Sequence, residues 1–393
     1  MERTFSSRWV FPVVSPPIHR GCVTVEGSSI ISVDPPGVRN ADIDLGNVAL
    51  IPGLVNAHTH LDLSGMSGTV PPSDDFVGWL LGVISHRRSC AVEQTAVDIA
   101  SGLEQALAYG TTLIGDIASF GASWDQLARA NVRSVVFHEL LGLPSERAEA
   151  ALRLGSEWVD IHKPSETTRP GISPHAPYSV RDSVFRQSVN FGVPVAIHLA
   201  ESLGEKSLLE GRDGPFVPFL QTLGVWDPSG LMPSWSEIIH LPYSSTVLFV
   251  HGNYLPDHLD IPEHASVIIC PRTHAAFGHQ AHPFATFLNR GVRIAIGTDS
   301  LASNPDLDVL AEVRFLRRSH PEIGGDVLLR MATLSGAEAL GWGDVTGSLE
   351  AGKSADIVAI PLEERDADPF DLLLSPTIQG EGIRRTMFRG AWR

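Results

Sequence analysis

The sequence predicts a (β/α)8 barrel of the TIM type, with a small β-sandwich built jointly by the two ends of the chain. Three observations carry this prediction: eight short apolar runs rich in β-branched residues, helical stretches between most of them, and a turn-broken texture at both termini. The 393 residues, 43% of them hydrophobic, suit one barrel of roughly 250 residues and a smaller unit.

The first fifty residues come as short extended runs (CVTVEG, SIISVD, ADIDLG, VALI) punctuated by Gly, Pro and Asn. Small strands are bounded in this way and helices are not. GSLEAGKSADIVAI and TMFRGAWR repeat the texture near the other end. Residues 1–50 and 345–393 are therefore expected to form one composite sandwich, and residues 51–344 the barrel. The barrel runs are ALIPGLVNAH, TTLIGDI, VRSVVFHEL, GISPHA, PVAIHLAE, TVLFVHGN, SVIICPR and VRIAIGTD. Continuous apolar strands alternating with stretches such as VEQTAVDIASGLEQALAYG are buried on both faces, as parallel strands are. The longest irregular region, Ser202 to Thr246, is expected to lay a helix and a loop over the barrel mouth.

A net charge of -16, from 45 acidic and 29 basic residues, gives no footprint for a nucleic acid or an anionic membrane surface. The expected partner is a small-molecule substrate. Cys22, Cys90 and Cys270 are odd in number and lack a Cys-x-x-Cys spacing, so neither a disulfide framework nor a zinc ribbon is expected. The apolar stretch Trp9 to Val14 is short and broken by Pro12, which suits neither a signal segment nor a membrane span. A cytoplasmic protein is the expectation.

In a barrel of this type, polar residues at the C-terminal ends of the strands form the active face. His58 and His60 stand two apart at the end of the first run, so both imidazoles point to one side. His198, His251 and Asp299 end the fifth, sixth and eighth runs. Five metal-capable side chains thus converge on one rim. Imidazoles with a carboxylate suit Zn2+, and Fe2+ or Mn2+ would also bind. His86, His162, His240, His258, His264 and His320 read as surface histidines. Phe76 and Trp79, three apart on a helix, suit covering an aromatic ring and core packing equally. The segment CPRTHAAFGHQAHP gathers Arg272, His274, Phe277, His279 and His282, a set suited to an anionic appendage such as a carboxylate.

The stretch IPGLVNAHTHLDLSGM resembles the first-strand motif of the amidohydrolase superfamily. SPHAPYSV, HLAES, FVHGN and GTDSLASN resemble its mononuclear subgroup of triazine hydrolases and nucleoside or nucleobase deaminases. THLDLSG, F-x-x-W-L and the histidine-rich seventh-strand loop look most like the aminodeoxyfutalosine deaminases, although Asp62 stands where such relatives often have glutamate. The resemblance implies that His58, His60, His198 and Asp299 ligate one divalent metal and that His251 lies just outside them. It implies that His175 contacts the substrate, with Trp79, Arg272 and His274 as further substrate-binding candidates. The fourth run carries no lysine to bridge a second metal, because Lys163 precedes it.

By the same resemblance the activity is hydrolytic deamination of an amino-substituted heteroaromatic, an adenine nucleoside such as aminodeoxyfutalosine. A metal-activated water attacks, Glu201 moves a proton to the ring nitrogen, and ammonia departs. Asp299 is either a proton acceptor or a passive ligand. Triazine-type dechlorination, cyclic amide hydrolysis and a non-catalytic metal-binding barrel are the alternatives. Related barrels are often dimers or tetramers, so a homo-oligomer is allowed.

Overall fold

A computed structural model describes residues 1–375 and 384–393. Eight parallel strands lie side by side in chain order: β1 (Leu54–Thr59), β2 (Thr111–Ala118), β3 (Arg133–Leu140), β4 (Thr168–Pro174), β5 (Val195–Leu199), β6 (Val247–His251), β7 (Ala265–Ile269) and β8 (Arg293–Ile296). A parallel bridge between Thr59 and Asp299 closes the ring, and the amides of Thr298 and Asp299 both donate to the His58 carbonyl at 3.1 Å. Each strand falls on one of the eight apolar runs. Nearly every strand residue is buried, as expected where helices cover one face and the barrel core the other.

The first run divides between two sheets. Val48–Pro52 pairs antiparallel with Ile357–Pro361 and parallel with Trp9–Val10, so it belongs to a sheet of the terminal segments. The barrel strand begins after Gly53. A Cβ on Gly53 would stand 2.0 Å from Thr112 Oγ1, so only glycine lets the chain pass from one sheet to the other there. The terminal segments form a six-stranded sheet drawing strands from both ends and a four-stranded sheet from the first 44 residues. Phe5, Val25, Ile30, Leu349, Ile357 and Met387 share one apolar cluster that joins the two ends.

Two helices connect β1 to β2 and wall the site: α1 (Phe76–Ser89), whose N-terminus Asp75 caps by accepting from Gly78 N at 2.9 Å, and α2 (Val92–Ala108). The region from Ser202 to Thr246 is more helical than expected. Its Gly and Pro residues break it into three short α-helices, Leu203–Gly211, Phe216–Thr222 and Trp235–Ile239. Phe216 and Phe219 pack in one cluster with Phe76, Trp79 and Phe277. Among the described residues no helix is long and apolar enough to cross a membrane.

Candidate active site

The site is assembled at the C-terminal ends of the strands, where side chains leave the ladder for the open face of the barrel. His58 ends up fully buried, and His60, still extended at φ -128° and ψ 91°, keeps the alternation of β1 for one more step. Their rings stand 4.9 Å apart and perpendicular. Asp116 on β2 fixes the chain just beyond, its Oδ1 accepting from Leu61 N at 2.9 Å while the Ser123 hydroxyl donates to Oδ2. Burial pushes the Asp116 carboxyl up to about 7.

Asp299 reaches the histidines through the seam between β1 and β8. A Cβ on Gly297 would lie 2.7 Å from His58 Cβ, so this close approach needs glycine. The Asn56 amide locks the seam, donating to Thr298 Oγ1 at 2.7 Å and accepting from Thr298 N at 3.1 Å. Asp299 and His251 have φ of 58° and 68°, in the left-handed region that costs a non-glycine residue about 1–2 kcal/mol. Such strain persists where the surrounding packing over-determines it.

His58 Nε2 and His60 Nε2 lie 3.4 and 3.6 Å from Asp299 Oδ1, and His60 Nε2 is 3.2 Å from His198 Nε2. His198 Nδ1 donates to the His175 carbonyl at 3.0 Å, so its Nε2 lone pair is the one that faces the cluster. Both nitrogens of His58 and Nδ1 of His60 are buried without a hydrogen-bond partner. Orphaned imidazole nitrogens cost about 1–3 kcal/mol each. The ligand atoms of His58, His60 and Asp299 lie within 4.8 Å of one another, as do those of His58, His198 and His251, so imidazoles and a carboxylate converge on His58 as a donor set that fits one divalent cation.

Glu201 and His251 border this cluster, His251 Nε2 lying 3.3 Å from Glu201 Oε1. Burial first, then the nearby Asp299 and Glu205 carboxylates, push Glu201 well above its ordinary range, which favours its protonated form. Burial depresses His251 to about 3 and keeps it neutral. Burial alone would raise Asp299, but His58 Nε2, 3.4 Å from its Oδ1, and the other histidines around it outweigh that and hold it low. Glu205, itself pushed up to about 7 by burial, fixes the turn carrying Glu201 by accepting from Ala200 N at 2.8 Å and Trp235 Nε1 at 2.6 Å.

These groups face a cavity of about 920 Å³, lined also by His175 and Trp79. His175 Nδ1 is 2.7 Å from Ser179 Oγ and its Nε2 3.7 Å from Glu139 Oε1. Trp79 packs as the core reading expects, its ring meeting Phe277 edge-on at 5.0 Å, and it also lines the cavity.

Arg272 and His274 do not reach the cavity lining, contrary to the sequence expectation. The Arg272 guanidinium is engaged by Asp306, at 2.6 and 3.0 Å, and by Glu312 at 2.6 Å, so its charge is already answered by carboxylates within the protein. His274 packs against the rings of His279 and His282. His282 instead props the strained backbone of His251, donating from Nε2 to its carbonyl at 2.7 Å. Sequence reasoning also missed Glu139 and Arg87. Glu139 nearly ends β3, one step from the strand-end position that marked the other site residues, and that was the available signal. Arg87 lies between Glu139 Oε2 and Asp62 Oδ2, at 3.2 and 3.0 Å. Burial would raise Glu139, but Arg87, His175 and His60 bring it down to about 2.

An eight-stranded parallel barrel that gathers histidines and an aspartate at its C-terminal rim defines the class: a barrel of the kind that carries its chemistry on the strand ends. The model of the amidohydrolase family matches residues 49–392, and the chain belongs to that family. It is similar to a 5-methylthioadenosine/S-adenosylhomocysteine deaminase of Moorella thermoacetica, 29% identical over 90% of this chain and 84% of the relative. An aminodeoxyfutalosine deaminase of Nitratiruptor sp. is 28% identical over 88% and 86% of the two chains. Among solved structures, an adenosine deaminase of Xanthomonas campestris with bound zinc superposes at a TM-score of 0.79, with 25% identity, over 99% and 92% of the chains. The aminofutalosine deaminase of Helicobacter pylori with methylthio-coformycin has the same fold, at a TM-score of 0.88 and 22% identity over the full length of both.

Proposed function

We propose that the chain is a metal-dependent hydrolytic deaminase of adenine nucleosides. One divalent ion, zinc before iron or manganese, would be held by His58, His60, His198 and Asp299. Bound there it would supply a water nucleophile active at neutral pH, because a divalent cation lowers the pKa of water from about 15.7 towards 7. The observation that carries the reading is Glu201, a buried carboxyl group pushed above its ordinary range and 3.3 Å from His251 at the edge of that donor set. A protonated carboxyl there can deliver its proton to the ring nitrogen beside the amino-bearing carbon, which makes that carbon electrophilic. His251, neutral through burial, accepts a hydrogen bond from Glu201 or from the nucleophile and holds it in line. Asp299 takes the proton released as the C–O bond forms and passes it to the departing ammonia. The names of two similar proteins, a 5-methylthioadenosine/S-adenosylhomocysteine deaminase and an aminodeoxyfutalosine deaminase, support the same reading.

The cavity supports a substrate larger than a nucleobase, because 920 Å³ lies at the upper end of ligand pockets, about 300–1,000 Å³. Val83, Ile84, Leu143, Phe219 and Leu223 line it with apolar surface suited to a 5′ appendage. Arg88 and Arg147 also line it, and among the described residues neither guanidinium has an ion-pair partner. They take over the role that Arg272 cannot fill. The test is ammonia release from zinc-loaded protein given adenosine, 5′-methylthioadenosine, S-adenosylhomocysteine and aminodeoxyfutalosine. Turnover is expected with all four and fastest with a carboxylate-bearing nucleoside; silence across the panel overturns the reading.

A further inference from the structure

We infer that the chain carries a second, weaker site for a thiophilic divalent cation, formed by His86, Cys90 and Asp98 where α1 meets α2. One ligand atom of each lies within 4.8 Å of the other two. His86 sits in the last turn of α1 and Cys90 just past its end, four residues on, and the Cys90 amide still donates to the His86 carbonyl at 2.9 Å. That spacing stacks the imidazole and the thiol on one helix face. Asp98, buried on α2, approaches from the opposite side, with Oδ2 3.9 Å from Cys90 Sγ.

The local hydrogen bonds account for part of this cluster and not for the rest. Gln94 Nε2 donates to Asp98 Oδ1 at 2.8 Å, and the Thr95 hydroxyl lies 3.6 Å from Cys90 Sγ and donates to the Ala91 carbonyl at 3.2 Å. His86 Nε2 is buried with no partner at all. An imidazole nitrogen, a thiol sulfur and a carboxylate facing one another are ligands of the zinc class, and a cation between them would satisfy the orphaned nitrogen. Neighbouring Arg87 does not compete for the site, because its guanidinium is engaged by Asp62 and Glu139.

Three protein ligands leave one position open. His86, Cys90 and Thr95 line the same cavity as the catalytic groups, so the fourth ligand comes from the cavity side, as water or a donor on a bound molecule. The site shares no residue with the His58, His60, His198 and Asp299 set. Its occupancy would tie α2 to α1, the helix that presents Trp79, Val83 and Arg87 to the cavity. Its weaker binding follows from three ligands against four.

The test uses metal-free full-length protein titrated with Co2+ and followed by absorption and by bound-metal analysis. The ligands proposed for the first site contain no sulfur, so a sulfur-to-cobalt charge-transfer band reports the second site alone. Two equivalents are expected to bind, the band growing with the second. Cys90→Ser should abolish the band and bind one equivalent, and His86→Ala should weaken the second step at least tenfold while leaving the first. His198→Ala should weaken the first step and keep the band. A wild type that shows no band at saturating Co2+, or a band that survives in Cys90→Ser, overturns the site. The band is independent of ammonia release, so its absence and a failure of the deaminase reading are separate results.

Discussion

Two clusters of charged and basic side chains stand close together at the C-terminal rim, and they differ in one respect. Around Arg272 every charge has an answer: the guanidinium meets Asp306 and Glu312, and Glu312 also accepts from Asn304 Nδ2 at 2.7 Å. Around His58, the imidazole nitrogens of His58 and one of His60 have no hydrogen-bond partner, and Glu201 is a buried carboxyl group beside a neutral histidine. Both clusters contain residues that a sequence reader would place in an active site. Asn304 Oδ1 and His274 Nε2 near Arg272 also lack a hydrogen-bond partner, but only the second cluster gathers unpaired imidazole nitrogens around a carboxylate at the open face of the barrel, and that convergence separates a site from a scaffold here. The scaffold is still coupled to the site, because Asn304 donates to the Thr298 carbonyl at 2.6 Å, one residue before Asp299.

The largest expected effect tests the second cluster. Glu201→Gln keeps the shape and removes the acid, so zinc content should stay at the wild-type level while kcat falls by about 10²- to 10⁴-fold. Near-normal turnover in that variant removes Glu201 from proton transfer. Arg272→Ala tests the first cluster from the other direction. Removing one member of a buried ion pair costs about 3–5 kcal/mol, seen as a lower melting temperature. Any loss of activity should be the same factor for adenosine and for a carboxylate-bearing nucleoside, since the side chain acts through the Asp299 turn. A selective rise in KM for the carboxylated substrate would restore Arg272 to the substrate site.

Much of this was legible in the sequence, and the reason is physical. Strands covered on both faces must be apolar along their whole length, so eight apolar runs read directly as eight strands. His58, His60, His198, His251 and Asp299 stand out because each interrupts or ends such a run. Around Gly53 one continuous apolar stretch serves two sheets. Arg272 was misread because its partners lie 34 and 40 residues further along the chain, and residue type says nothing about whether a charge is already paired. Glu139 and Arg87 form a pair across 52 residues and gave no local pattern.

A smaller effect probes the support beneath Glu201. Glu205 is raised from 4.5 to about 7 by burial, so the folded state holds its proton more tightly than the unfolded chain does. Its contribution to stability is complete below about pH 4.5 and is lost as the pH rises through 7, a swing on the order of 3 kcal/mol. Glu205→Gln keeps an acceptor for Ala200 N and Trp235 Nε1 and removes the titration. Its melting temperature should therefore fall less than that of the wild type between pH 5 and 7.5, on metal-loaded protein. Parallel profiles would mean that Glu205 stays ionised in the folded chain.

The smallest expected effect decides where the appendage goes. Arg147 is exposed on the helix Ser145–Ile161, lines the cavity and has no ion-pair partner among the described residues. A guanidinium in that position can meet a carboxylate without first breaking a bond inside the protein, the condition Arg272 fails. At a solvent-facing mouth the attraction is screened, so the loss in Arg147→Ala should be about 1 kcal/mol, a KM raised some five- to tenfold. That rise should appear for the carboxylate-bearing nucleosides, shrink at high salt and be absent for 5′-methylthioadenosine, with kcat unchanged throughout. Equal KM changes for charged and uncharged appendages would assign Arg147 to packing at the mouth, leaving Arg88 as the unpaired cation to replace next.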